Sequence, residues 1–242
     1  MALGKLPWLF ALFILYYIAA TSPNPPASYE EITRYPRGDR LSGKNTLMRL
    51  WVAMKVLILS VIFFESVVIV STHFETNIFA ETVLNILTRN DVDIPTRSDP
   101  TITPVFLVGF FLCFCGAYGR WASYHALGHL FTYEVSIRDQ HRLITTFPYS
   151  VVRHPSYTSS VVVFTGITPC LLGPGSWIFE CRLLELWAVE VISVVVTAFY
   201  AYILYLVLSR MDNEDKMMKK EFGRQWDEWA GRVRYKLVPG LF

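Results

Sequence analysis

Residues 157–209 read YTSSVVVFTGITPCLL (157–172), GPGSWIFECRL (173–183) and LELWAVEVISVVVTAFYAYILYLVLS (184–209). Two apolar stretches flank a turn opened by Gly173-Pro174-Gly175. A helix needs about 20 residues to cross the hydrocarbon core of a bilayer, somewhat fewer when its ends are anchored. The second stretch exceeds that length, and the first is short but tied to the second by the turn. A lone strand in lipid would leave its backbone polar groups unpaired, so both stretches read as helices. The segment is a transmembrane helical hairpin.

Working outward, three further apolar stretches cover 6–20, 50–71 and 104–122. The expected fold is an all-α integral membrane protein with about five transmembrane helices. Composition agrees. Of 242 residues, 53% are hydrophobic and 17% charged, against about 25% charged in ordinary soluble domains. Such apolar content excludes disorder. A net charge of +2 with no dominant basic face argues against nucleic-acid binding. Four cysteines do not make a disulfide scaffold in a chain this size.

Loop charge predicts the orientation. Lys and Arg number 5 in residues 22–49, 4 in 120–155 and 8 after Ser209, while 72–103 carries only Arg89 and Arg97 and 173–183 only Arg182. The two sets alternate along the chain, as the positive-inside rule expects. The basic loops and the carboxy terminus are then cytosolic, and the amino terminus lies outside. The first stretch, with one lysine before it and Ile18-Ala19-Ala20 at its end, also has the look of a cleaved signal. Cleavage would reverse the charge pattern, so a retained helix is expected. Within the spans, Lys55 is read as snorkelling, and Glu65 and Glu190 as end-snorkelling or hydrogen-bonded inside the bundle. Cys113 and Cys115 point to opposite helix faces and read as packing residues, with no metal set. Cys170 and Cys181 are close enough in sequence to meet across the outer turn.

Polar chemistry collects in two places. The first is Phe131–Tyr157, FTYEVSIRDQHRLITTFPYSVVRHPSY, punctuated by Pro148 and Pro155. Pro155 biases His154 away from helix, so Arg153-His154 sit at a bend before the fourth span. That bend either aims groups into a cavity or forms an interfacial loop on anionic headgroups. The second is the tail from Arg210. Asp212 is expected to cap a helix with Asp215 three residues on, and Met218, Phe222, Trp226, Trp229 and Val233 recur as one apolar face. That helix either lies in the interface with its tryptophans at headgroup level or packs back on the protein. Arg210 and Glu214, at i and i+4, share a face.

Arg153-His154-Pro155-Ser156-Tyr157, the wider HRLITT-x-PY-x-x-VRHPSY, Glu214-Asp215, Glu221-Phe222-Gly223 and Val238-Pro239-Gly240 together resemble the isoprenylcysteine carboxyl methyltransferase family. The resemblance runs from Phe131 to the end. It implies an amino-terminal set of spans over 1–122 and a methyltransferase region over 123–242. It also implies a cytosolic pocket for S-adenosyl-L-methionine, formed by the loop before the fourth helix and the carboxy-terminal amphipathic helix. Carried over by position, cofactor contacts would be Glu134, His141, Arg142, Leu143, Ile144, Tyr149, His154, Pro155, Ser156, Tyr157 and Glu214. Arg210 matches a substrate-side arginine, and Arg153 and Arg232 match arginines near the reaction centre. Thr146-Phe147 and Ser159 stand where the family often has Gly or small residues, and Trp226 and Trp229 where it usually has tyrosines.

The activity so implied is methylation of the carboxylate of a carboxy-terminal prenylated cysteine in CaaX-processed proteins, at the endoplasmic reticulum membrane. The partners would be the prenylated cysteine and membrane lipid, with no metal and no nucleic acid. Two alternatives stand beside it: a membrane methyltransferase for another acceptor such as a phospholipid amine, and a non-enzymatic membrane scaffold.

Overall fold

A computed structural model describes residues 2–26, 28, 45–74, 77–88, 100–132 and 142–241. The regular secondary structure of the described residues is all helical, with no strand among them. The helices are α1 (Leu6–Ala20), α2 (Asn45–His73), α3 (Ile78–Leu87), α4 (Pro104–Leu127), α5 (Pro155–Leu172), α6 (Trp177–Glu180), α7 (Trp187–Phe222) and α8 (Arg224–Arg232). Five segments are long and apolar enough to cross a membrane: Ala2–Ala20, Arg49–His73, Pro104–Leu130, Pro155–Glu180 and Trp187–Phe222. This is a multi-pass membrane protein, and the expectation of five spans holds.

The starts of the helices follow from local chemistry. Pro104 and Pro155 occupy the first position of α4 and α5, where a missing N–H costs nothing and the fixed φ suits the helix. Thr103 accepts the Phe106 N–H at 3.2 Å and donates to the Pro174 carbonyl at 2.9 Å, so one hydroxyl both caps α4 and holds the turn after α5. Asn77 caps α3 and Ser176 caps α6 through their side chains.

The chain divides into two compact units. The first comprises Met1–Tyr17, Val52–Cys115 and Val162–Ala198. In it, α4 and α5 approach through glycine. A Cβ on Gly166 would lie 2.5 Å from the Gly109 carbonyl oxygen, and one on Gly109 would lie 2.6 Å from that of Gly166. Small residues permit such backbone contact, which is how helices gain packing energy where lipid supplies no hydrophobic drive. Cys113 and Cys170 are buried beside this contact, their thiols 3.6 Å from the Val163 and Phe106 carbonyls. Cys115 is exposed, so the expected opposite facing holds. Cys170 and Cys181 are both free thiols.

The same unit buries Lys5 and Glu65 completely, 2.6 Å apart, with Lys5 also donating to the Gly175 carbonyl at 2.7 Å. Glu65 is thus an interior partner, and end-snorkelling does not describe it. Glu190 is exposed in the first turn of α7. Helix α3 was not foreseen: its ten residues sit in the loop between the second and third spans. Ala80 faces inward, and Leu84 packs with Val68, Trp177, Ile178 and Cys181. The Trp177 indole donates to the Leu87 carbonyl at 2.9 Å and closes the end of α3.

The second unit comprises Ile18–Trp51, Gly116–Val161 and Phe199–Phe242. Arg120, 4% exposed in α4, donates to the Ala19 carbonyl at 3.0 Å and to the Ser156 hydroxyl at 2.7 Å, with its guanidinium 4.9 Å from the Tyr124 ring centroid. It ties the end of α1 to the start of α5. The tail departs from expectation. Asp212 does not cap a new helix, because α7 continues unbroken from Trp187 to Phe222. The break comes at Gly223, whose φ of +50° is a left-handed conformation that glycine adopts at no steric cost. The apolar face nevertheless survives the break. Trp226, Trp229 and Val233 form a buried cluster, with Met218, Phe222, Leu143 and Tyr149 packed against it. The tryptophans therefore pack back on the protein.

Candidate active site

The site lies within the second unit, around residues 153–158, where the chain enters α5. Three backbone contacts hold this bend against the tail. The Arg153 N–H donates to the Tyr235 carbonyl at 3.0 Å, the His154 N–H to that of Lys236 at 2.9 Å, and the Thr158 hydroxyl to that of Leu237 at 2.7 Å. Pro155 explains why these groups are available. It keeps His154 out of the helical region, so the two preceding N–H groups face outward to a second chain segment.

Five charged side chains meet at the bend. Asp215 accepts from Arg153 Nη1 at 2.7 Å through Oδ2, and its Oδ1 lies 3.0 Å from His154 Nε2. Glu214 accepts through Oε1 from the Tyr157 hydroxyl at 2.5 Å and from Arg210 Nε at 2.9 Å. Its Oε2 lies 3.3 Å from His154 Nδ1. The His154 ring is therefore gripped by a carboxylate at each nitrogen, and it stacks on Tyr157 with centroids 5.6 Å apart. Burial alone would lower the pKa of His154, but the hydrogen bonds and charges of Asp215 and Glu214 outweigh burial and raise it to about 8. At neutral pH the ring is mostly the imidazolium, both of whose nitrogens donate. The cluster then carries three positive groups, Arg153, His154 and Arg210, against two negative ones, Glu214 and Asp215.

Arg210 and Glu214 share a face of α7, as their spacing required, and they bond each other. Beside the cluster, burial raises the pKa of the Tyr149 phenol, as does the Glu214 charge, while its hydrogen bond to Ser123 acts in the opposite sense. Tyr149 also touches the Trp226–Trp229 cluster. It thus borders both the charged cluster and an aromatic wall.

Of the residues expected at the site, His154, Tyr157, Glu214, Arg210 and Arg153 converge, with Tyr149 alongside. Pro155 shapes the bend. The Ser156 hydroxyl points to Arg120. Leu143 and Ile144 are half-buried, Leu143 against the tryptophan wall, and Arg142 is exposed. Arg232 is exposed in the last turn of α8 and is not drawn into the cluster. Arg153 gives Nη1 to Asp215 and Nη2 to the Arg234 carbonyl at 3.1 Å, so it clamps the bend to α7 and the tail. Glu134 and His141 lie outside the described residues.

Three contributors were not assigned to the site from sequence. Asp215 is the hub between Arg153 and His154. Its place beside Glu214 in an acidic pair was visible, but which partner it served was not. Arg120 positions Ser156, and only its place at the end of an otherwise apolar span signalled it. The tail backbone of residues 234–237 left no side-chain signal. Among the described residues, no group of three or more His, Cys, Asp or Glu has the arrangement to hold a metal ion.

The model of the isoprenylcysteine carboxyl methyltransferase (ICMT) family matches residues 107–220. Protein-S-isoprenylcysteine O-methyltransferase B of Arabidopsis thaliana is 32% identical over 108 residues, covering 44% of this chain and 45% of that protein. Probable protein-S-isoprenylcysteine O-methyltransferases of Oryza sativa subsp. indica and japonica are each 26% identical over 132 residues, covering 53% of this chain and 59% of theirs. The chain thus spans about half the length of the curated relatives it matches. No solved structure matches it. The matched segment holds α5, most of α4 and α7, and every charged side chain of the cluster, and through residues 107–220 this chain is similar to the isoprenylcysteine carboxyl methyltransferase family.

Proposed function

We propose that this protein is an S-adenosyl-L-methionine-dependent methyltransferase that esterifies the carboxylate of a carboxy-terminal prenylated cysteine in CaaX-processed proteins. Its site faces the cytosol, in the endoplasmic reticulum membrane. One observation carries the choice of acceptor. Among the described residues of the cluster, Arg153, His154 and Arg210 meet Glu214 and Asp215, and the histidine has both ring nitrogens on carboxylates. Such a site attracts an anionic acceptor. A cationic amine would require a base to take its proton, and a histidine held by carboxylates at both nitrogens does not offer one.

The donor set fits S-adenosyl-L-methionine. Glu214 accepts three donors among the described residues, and a carboxylate has about four acceptor positions. Capacity therefore remains on Oε2 for a hydroxyl or ammonium of the ligand. Tyr149, Leu143 and the tryptophan wall offer an apolar surface beside that carboxylate. When bound, the cofactor supplies a methyl group on a sulfonium. The chain's own residues then have a task of placement. An acceptor carboxylate is ionised at neutral pH and needs no general base. What remains is to orient it, strip its water and hold it in line. Arg210, 8% exposed, has the planar fork that suits a carboxylate. Glu214 holds Arg210 from one side, and Tyr157 and His154 hold Glu214 from the other, so the charge near the reacting atoms is fixed before any ligand arrives.

The test is direct. Purified protein in lipid is given S-adenosyl-L-methionine labelled in the methyl group, with either an N-acylated S-farnesyl cysteine or phosphatidylethanolamine vesicles. Base-labile label on the prenylated cysteine is expected. Base-stable label on the lipid amine alone would assign the other acceptor. Failure to bind S-adenosylhomocysteine would leave a membrane scaffold.

A further inference from the structure

Helix α3 presents three flanks. Ala80 and Leu84, one turn apart, face the protein, and Leu84 shares a buried cluster with Val68, Trp177, Ile178 and Cys181. Glu81 and Asn85, also one turn apart, form an exposed polar flank. Phe79 and Ile86, two turns apart, form an apolar flank that is 76% and 75% exposed, and Ile78 in the first turn is 82% exposed. The packing also fixes the height at which α3 lies. Val68 stands five residues inside the end of α2 at His73, about 7–8 Å along the helix. The Trp177 indole that donates to the Leu87 carbonyl has its ring 6.3 Å from that of Phe64, which stands nine residues inside the same end, about 13–14 Å. Phe64 and Val68 both belong to the apolar span Arg49–His73. Helix α3 therefore folds back alongside α2 instead of projecting beyond it, and its carboxy-terminal end is level with side chains of a membrane span. At that depth the unpacked apolar flank meets hydrocarbon.

We infer that α3 is an interfacial helix whose partner is the lipid surface. Its Phe79–Ile86 flank inserts among the acyl chains of the leaflet at the His73 end of α2, and its Glu81–Asn85 flank faces headgroups and water. Helices that reach a membrane from solution carry basic residues to find anionic headgroups. Helix α3 has none, and it needs none, because the spans α2 and α4 on either side of it in the chain already hold it at the surface. Burial of apolar area is then the whole of its attraction. Two further aromatic side chains are exposed near the same packing: Phe74, directly after α2, and Trp187, which opens α7 two residues before Val189 packs on the Leu84 cluster. Aromatic side chains of this kind concentrate where a membrane meets water. The inference is independent of the reading of the active site.

The experiment is nitroxide labelling of the full chain in phosphatidylcholine bilayers. Phe79→Cys, Ile86→Cys, Glu81→Cys and Asn85→Cys are made one at a time with the exposed Cys115 changed to Ser; the other three cysteines are buried. Each label is measured for collision with oxygen, which concentrates in hydrocarbon, and with a nickel chelate, which stays in water. Phe63→Cys, at an exposed residue in the middle of the α2 span, is the lipid reference, and Arg224→Cys, at an exposed residue of the tail, is the water reference. Labels at 79 and 86 are expected to match the lipid reference, with an oxygen-to-nickel ratio several-fold above that of labels at 81 and 85. Nickel contact at 79 and 86 equal to that at 81 and 85 would place α3 in water and overturn the inference. Loss of contact with both reagents at 79 and 86 would mean that a protein surface, such as a second copy of this chain, covers the flank, and would overturn it equally. Positions 79 and 86 report on one flank, so if one variant fails to fold the other decides.

Discussion

Replacing Asp215 by Asn tests the charged bend where it is most tightly built. The carboxylate serves Arg153 at 2.7 Å and His154 at 3.0 Å, and its side chain is 13% exposed. Asparagine retains one acceptor oxygen, so one of the two bonds is lost and an amide N–H₂ faces the other donor. A hydrogen bond to a charged group is worth about 1.5–3 kcal/mol. A fully buried ion pair broken from one side costs about 3–5 kcal/mol, an upper limit for a pair that retains some contact with water. A loss of about 2–3 kcal/mol follows at mildly acidic pH.

The pH dependence supplies the sharper signature. His154 is raised from the ordinary 6.5 to about 8 in the folded protein. A pKa raised on folding stabilises the folded state fully below the unfolded value, and the contribution is lost as pH rises through the folded value. The rise is worth about 2 kcal/mol, complete below pH 6.5 and gone above pH 8. The groups responsible are Asp215 and Glu214 from α7, with Arg153 sharing Asp215 and Tyr157 sharing Glu214. In Asp215→Asn one of the two carboxylates facing the ring has gone, so most of the pH dependence goes with it. Thermal unfolding of the detergent-solubilised protein, followed by tryptophan fluorescence from pH 6 to 9, measures both effects. At about 2–4 °C per kcal/mol for a chain of this size, the variant should melt roughly 5–10 °C lower at pH 6, and the gap should narrow towards pH 9. A gap of constant size across that range, or equal melting throughout, would refute the account of His154 as an imidazolium held between two carboxylates.

Three further outcomes are expected. Arg210→Lys keeps the charge but not the fork, and should raise the apparent KM for a prenylated cysteine or lower kcat several-fold, with S-adenosylhomocysteine affinity nearly unchanged; full activity would take Arg210 off the acceptor side. Lys5→Met strands the Glu65 carboxylate in the first unit and should destabilise by about 3–5 kcal/mol, while adding Glu65→Leu should restore most of it; a double variant no better than the single would show that the pair's geometry, and not the uncompensated charge, is what matters. Gly166→Ala drives a methyl group to 2.5 Å from the Gly109 carbonyl and 2.8 Å from the Cys113 nitrogen, both backbone atoms, so α4 and α5 must part, and a loss of about 1–3 kcal/mol in thermal stability should follow.

Much of this protein is legible in one dimension. Length and hydrophobicity place the spans, because a helix in lipid satisfies its own backbone and needs nothing from the rest of the chain to be recognised. The apolar face running through Met218, Phe222, Trp226, Trp229 and Val233 was readable for a related reason: helical periodicity is local, and it survived even the break at Gly223. The i, i+4 meeting of Arg210 and Glu214 is likewise a property of one helix. Local signals also misled. Asp212 has the chemistry of a helix cap, yet it lies inside α7, which runs on to Phe222 and ends where Gly223 can leave the helix without strain. Tertiary structure alone decided which charges serve one another. Asp215 meets Arg153 and His154 across 61–62 residues of chain, and Lys5 meets Glu65 across 60. The pairing energy of a charge depends on distance and burial, and neither is encoded in the spacing along the chain. The same holds for Trp229. The sequence shows a tryptophan on an apolar face, but only the packing around it reveals an indole N–H with no partner among the described residues.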